Sequence, residues 1–274
     1  MQPAPTTSEE SHPYSNRLVV YLDILGFKER IKDTRDDKEG NPCEPWRVNQ
    51  ISALMKAIDD YINAKTPKNR RSGKRLYDLQ YHQFSDCVVI SIEDPSPESF
   101  KWIFSLIKSL HRGMMDGLYL LRGGICMGKL LHDQNKVFGP ALVDAYILES
   151  KCAVYPRVIL SQEVISKIKA LGEMSAMISL IEQDSDGFWY VDYIHSCTAD
   201  IPGRWEEIMK FLNYAALFIH ANRDAKPEVR QKYTWAAIKY NKTAGELREL
   251  AKTHLVLPSN IQKAALKLPG VNTD

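Results

Sequence analysis

The chain has 274 residues, of which 44% are hydrophobic and 26% charged, and its formal net charge is only +2. That balance suits a soluble globular protein with enough apolar material for one sizeable core, and it gives no case for a nucleic-acid binder. No apolar segment approaches the ~20 residues needed to span a bilayer, so neither a nucleic acid nor a membrane is expected as a partner.

The cysteines (Cys43, Cys87, Cys126, Cys152 and Cys197) are odd in number and widely spaced. No CxxC pair and no Cys/His zinc spacing occurs, so a reducing cytoplasm is the expected compartment. The opening "MQPAPTTSEESHPYS" is polar, acidic and proline-containing. It lacks the basic and apolar regions of a signal peptide, and residues 1–16 read as a disordered tail.

Residues 17–24, "RLVVYLDI", read as a buried strand, and "GFKERIKD" as a short helix after it. In "RVNQISALMKAIDDYINA", Ile51, Leu54, Met55, Ile58 and Ile62 mark one face of a helix. The loop "KTPKNRRSGKR" is strongly basic and reads as solvated surface with weak attraction for an anion. "LYDLQYHQF" and "CVVISIE" read as strands joined at Ser85-Asp86. A helix follows, with Ser96 as its cap and Pro97 at its first position.

"LYLLRGGICMGKLL" is a strand with internal glycines, which signal a bulge or the close approach of another group. A turn, a helix from Gly139, a short strand in "YPRVILS" and the helix "QEVISKIKAL" come next. "MISLIEQDSDGFWYVDYI" reads as a hairpin around an Asp-Ser-Asp-Gly turn. From Trp205 the pattern is helical almost to the end. The expected architecture is α+β: a mixed, mostly antiparallel sheet with helices on one face, and a C-terminal helical extension. Residues 17–195 would form the first unit and residues 196–274 the extension. No GxGxxG and no GxxxxGK[ST] is present, so a doubly wound dinucleotide-binding fold is not expected.

Asp23 sits at the end of a core strand, where an unpaired carboxylate costs several kcal/mol. Asp86 sits at a hairpin turn. If the two strands are neighbours, both carboxylates reach one sheet edge and need a cation between them, or a proton. Oxygen donors of this kind suit Mg²⁺ or Mn²⁺, which leave coordination sites for substrate phosphates. The turn after Asp23 opens a helix whose free N–H groups favour phosphate. The plainer alternative is a cap or turn role for each aspartate.

The motifs "DILGF" at Asp23–Phe27, "FSDCVV" around Asp86, "LRGGICMG" and "FGPALVDAYILESKCAVYPRVILSQEV" together resemble the class III nucleotide cyclases over about residues 17 to 193. The wording of "YLDILGFK", "FSDCVVIS", "RGGI", "YPRVILS" and "RQKYTWAAIKYN" most resembles the pyrimidine cyclases of Pycsar antiphage systems. The resemblance implies a ferredoxin-like cyclase core and two divalent ions, Mn²⁺ or Mg²⁺, held by Asp23, Asp86 and the Ile24 carbonyl. It implies triphosphate contacts from the amides of Phe27 and Lys28 and from Arg122, and base recognition by His82 and Lys136. It implies a homodimer with the nucleotide at the subunit interface, UTP as the favoured substrate with CTP as the alternative, and a cyclic pyrimidine nucleotide passed to an effector. The family's polar pair on the helix from Gly139 is replaced here by Val143 and Ile147, which leaves the usual transition-state arginine without a counterpart at that place. Two readings of other classes stand beside this one: a nucleotide-binding module without catalysis, and a partner-binding protein led by the C-terminal helices.

Overall fold

The computed structural model describes residues 13–36, 40, 42–66, 78–93, 95–117, 119–195, 205–222, 226–252, 257 and 259–271. Residues 1–12 of the expected tail, residues 67–75 of the basic loop and Cys197 lie outside the described residues.

Strand β1 (Ser15–Leu25) is the centre of the molecule. Its even-numbered residues Leu18, Val20, Leu22 and Ile24 are buried in the main core, and Arg17, Val19, Tyr21 and Asp23 point to the opposite face by the period-2 rule. β1 starts two residues earlier than the apolar run predicts, because the ladder with the long neighbouring strand extends to Ser15. Gly26 then adopts φ 80°, in the left-handed region that other residues enter at a cost. That turn starts helix α1 (Phe27–Lys32).

Helix α2 (Pro45–Lys65) buries Leu54, Ile58 and Ile62. Strands β2 (Leu79–Phe84) and β3 (Cys87–Glu93) form a hairpin. Helix α3 (Pro97–Asp116) opens with the expected Ser96 cap, completed by Ser99 into a reciprocal capping box with Pro97 in the first turn. It drives Phe100, Ile103, Phe104 and Ile107 into the same core as α2. Strand β4 (Leu120–His132) lies antiparallel to β1 and folds back on the short β5 (Val137–Phe138). Helix α4 (Pro140–Cys152) carries the chain to β6 (Val158–Leu160), which runs parallel to β4.

Helices α5 (Gln162–Ala170) and α6 (Met174–Met177) precede the expected hairpin of β7 (Ile181–Gln183) and β8 (Trp189–Val191). The four-residue α6 falls where the sequence pattern suggests a strand beginning at Met177. Helices α7 (Trp205–Ala221), α8 (Pro227–Lys252) and α9 (Ser259–Leu266) complete the described chain. The sheet order is β2-β3-β1-β4-β6-β8-β7, and β4–β6 is the parallel step among antiparallel neighbours.

Helices cover both faces of this sheet, not one as the element order suggests. α2, α3 and α5 share the core with Leu18, Val20 and Leu22. α4 lies on the second face, where its Ala141 and Ala145 pack on Val19 and Cys126. The reason is glycine: a Cβ on Gly124 would stand 2.5 Å from the carbonyl oxygen of Ala145 and 3.1 Å from the amide of Glu149. The glycine in β4 therefore marks a close approach, as its place in a strand predicts. The C-terminal helices join this second face through Leu120, Ile159 and Tyr190.

Arg157, fully buried, fastens α8 there. It pairs with Asp184 at 2.5 Å and with Asp186, and the rings of Tyr155, Tyr190 and Trp235 stand 5.1–5.9 Å from its guanidinium. Trp235 Nε1 also donates to Asp184 at 2.6 Å.

Candidate functional site

The site is a row across three strands. Asp23 is paired with Cys87 of β3 on one side and with Arg122 of β4 on the other. Directly opposed residues on neighbouring strands project to the same face, so the register alone gathers these side chains. Asp86 joins them from the β2–β3 turn, which Ser85 makes possible by adopting φ 55°, a costly conformation for a residue with a side chain. The Ile24 amide donates to the Asp86 carbonyl at 3.0 Å and fastens that turn to β1.

One ligand atom from each of Asp23, Asp86 and Cys87 lies within 4.8 Å of the others. Two carboxylates at this separation fit a divalent cation: burial pushes the Asp23 carboxyl above its ordinary value and Asp86 adds to this, against the opposing pull of Arg122. The Cys87 thiol is raised by burial, and its sulfur contacts the Tyr21 hydroxyl at 2.7 Å. Tyr146 of α4 meets the Tyr21 ring edge-on at 5.5 Å.

Arg122 Nε donates to Asp23 Oδ2 at 3.1 Å. The same nitrogen lies 2.5 Å from Glu149 Oε1, an ion pair without an aligned hydrogen bond. Glu149 is 3% exposed, and burial pushes its carboxyl up to about 7, with Arg122 opposing and Asp23 adding to the rise. Lys232 of α8 is half-buried within electrostatic reach of Arg122, Asp23 and Glu149. Glu149 lies within "FGPALVDAYILESKCAVYPRVILSQEV" and Lys232 within "RQKYTWAAIKYN", yet neither was named there as a site residue. Glu149 had a signal all the same: it continues the buried stripe Ala141, Ala145 at helical spacing, where a carboxylate is out of place.

Asp23, Asp86 and Arg122 thus come together. Ile24 adjoins them, with its side chain in the core. Phe27 and Lys28 open α1, where no side chain caps the first turn; Phe27 is buried and Lys28 exposed. His82 lies on the same sheet face, opposite Val89, which in turn faces Tyr21. Its Nδ1 is 2.8 Å from His132 Nε2, and His132 Nδ1 is 2.7 Å from Ser91 Oγ, which accepts from Arg17. Lys136 is exposed in the β4–β5 turn, where its amide donates to Asp133 at 2.9 Å. His82 and the Lys136 turn therefore meet at His132, one corner of the sheet, apart from the carboxylate row. Val143 and Ile147 are exposed on α4 together with Tyr146, and Phe84 at the tip of the β2–β3 hairpin is 83% exposed.

No protein-family model matches the chain. No curated protein matches it either. Among solved structures, a bacterial light-regulated adenylyl cyclase superimposes with a TM-score of 0.36 at 14% identity, covering 68% of this chain and 96% of that one. A superposition this loose carries no inference about activity. No helix among the described residues is long and apolar enough to cross a membrane.

Proposed function

We propose that the protein is a metal-dependent nucleotide cyclase that converts a pyrimidine ribonucleoside triphosphate, UTP before CTP, to its 3′,5′-cyclic monophosphate and pyrophosphate. The observation that carries this reading is the convergence of Asp23 and Asp86 beside Arg122 on one sheet face. Divalent ions, Mn²⁺ or Mg²⁺, would be held by Asp23 and Asp86, and would supply activation of the ribose 3′-hydroxyl and neutralisation of the triphosphate.

The chain's own residues do the rest. Asp23 and Asp86 would place the α-phosphate only through the cation they hold, since carboxylates alone repel it. Arg122, paired with Glu149, would bind phosphate oxygens as they gain charge. The amides of Phe27 and Lys28 face phosphate at a helix start that no side chain caps. In the reaction the bond from the 3′-oxygen to the α-phosphorus forms, the bond to the β-phosphate bridge breaks, and pyrophosphate and the hydroxyl proton leave.

Pyrimidine selection rests on the motif resemblance and on His82, which keeps Nε2 free of His132 and can address a base edge. Lys136 is assigned to the same base through the shared corner. The exposed apolar residues Phe84, Val143, Tyr146 and Ile147 border the site and suit a homodimer interface. The product would serve as a second messenger for a cyclic-nucleotide effector in antiphage defence, which rests on the resemblance alone. The test is incubation with each of the four ribonucleoside triphosphates and Mn²⁺, with products identified by mass. Cyclic UMP or cyclic CMP with pyrophosphate is expected. Tight binding of triphosphate with no product would favour a binding module instead.

A further inference from the structure

Helices α2 and α3 leave a cavity of about 430 Å³ between them. Each helix faces it with the i, i+3, i+4 spacing of one helical stripe: Leu54, Ala57 and Ile58 on α2, and Leu110, Gly113 and Met114 on α3. The four large side chains are buried and make the chamber apolar. Ala57 and Gly113 leave the space, and a Cβ on Gly113 would meet nothing within 4 Å. The volume falls within the range of small-molecule sites, roughly 300–1,000 Å³.

A smaller cavity of about 230 Å³ adjoins this one, and Arg30, Gln50 and Tyr119 line both. Its character is different, because two arginines and one carboxylate, Arg30, Arg47 and Asp33, stand around it. Asp33 is paired with Arg47 at 3.9 Å. Arg30 is left over: its guanidinium lies 4.4 Å from the centroid of the Tyr119 ring and makes no ion pair or hydrogen bond among the described residues. It is partly buried, and its fork of N–H donors is open to an anion. An apolar chamber that opens beside an unpaired guanidinium fits an amphiphile with an anionic head. We propose that the two cavities together bind an apolar carboxylate of the medium-chain fatty-acid class, its tail between α2 and α3 and its carboxylate on Arg30. A carboxylate matches the planar guanidinium bidentately, and the tail takes the apolar walls out of water. The proposal does not depend on the nucleotide-cyclase reading, since Asp23, Asp86 and Arg122 line neither cavity.

The probe is decanoate, kept below the concentration at which it forms micelles and titrated calorimetrically into the full chain. Saturable binding at a single site is expected. Decanol, the same tail without the charge, should bind about tenfold or more weakly, the scale of one charge-assisted contact. Arg30→Gln should weaken decanoate by the same factor and leave decanol unchanged. Gly113→Leu should fill the chamber and abolish binding of both, with an equal or higher melting temperature, because leucine there enters open space and favours the helix over glycine. If Gly113→Leu does not fold, Ala57→Leu is read in its place.

Absence of saturable decanoate binding overturns the proposal, as does equal affinity for decanol or binding that persists in the chamber-filled variant. If neither chamber-filled variant folds, the loss of discrimination between decanoate and decanol in Arg30→Gln decides alone, and undiminished discrimination overturns the proposal. A change of oligomeric state in light scattering of Gly113→Leu would assign the groove to a second copy of the chain and overturn it too.

Discussion

Asp23 and Arg122 are direct cross-strand partners, and the guanidinium donates to the carboxylate at 3.1 Å. Arg122 therefore draws on the same carboxylate that a divalent ion would use. Replacing it with alanine should tighten Mn²⁺ binding to the nucleotide-free protein by roughly 1 kcal/mol, the scale of a partly exposed pair. The same variant should bind triphosphate more weakly. Manganese titration and triphosphate titration on one preparation would read the two opposite shifts.

Asp23→Ala and Asp86→Ala should each lower the rate of pyrophosphate release by about a thousandfold, equivalent to ~4 kcal/mol of barrier. Neither change should unfold the protein. Removing one of two crowded carboxylates relieves repulsion, and the melting temperature of Asp86→Ala should be equal or higher. Activity that survives both substitutions would remove the metal site from the mechanism.

Gly124→Ala should destabilise the fold by about 1–3 kcal/mol, the usual cost of forcing volume into a packed place. Its Cβ would meet backbone of α4 at 2.5 and 3.1 Å, and backbone cannot step aside as a side chain can. Because Glu149 rides on the displaced turn, activity should fall as well. Urea denaturation and turnover read the two effects.

Much of this arrangement was legible in local pattern. Alternation and apolar runs mark β1, the β2–β3 hairpin and β4, and Ser96-Pro97 marks the start of α3. Asp23 and Asp86 could be named because one ends a core strand and the other sits at a hairpin turn, and Arg122 because the motif around it resembles a family strand. Glu149 could not, because it reaches the row from α4, and that approach depends on Gly124. The second helical layer was missed for the same reason: element order does not say on which face a crossover helix lands, and here the missing side chain of Gly124 decides it.

Acid should weaken the fold through two histidines. His111 is fully buried, accepts from the Leu121 amide and stacks on Tyr193, and burial pushes it down to about 3. His132 is pushed down to about 4 by burial, then by His82 and Arg17. Both folded values lie below the unfolded value of about 6.5. Their contribution is therefore fully present above pH 6.5 and is lost as pH falls towards 4 and 3, because the unfolded chain takes up protons that the folded chain refuses. Melting temperature should drop between pH 7 and pH 4, and less steeply in His111→Gln, whose side chain can still accept from Leu121.

Phe84→Glu should convert a dimer to a monomer in light scattering and lower turnover with it, since the exposed hairpin tip adjoins the Asp86 turn. A protein that is monomeric and fully active before the change would exclude the shared-site arrangement.

The amide of Ile24 bonds to the carbonyl of Asp86, and this single main-chain link has a consequence for how the site is built over time. The repulsion between the two aspartates is overcome once, when β1 closes on the hairpin during folding, and the pair then stays poised. A cation bound there would meet a geometry inherited from the sheet, so side-chain substitutions nearby would alter the chemistry of the site while the spacing of its carboxylates persists.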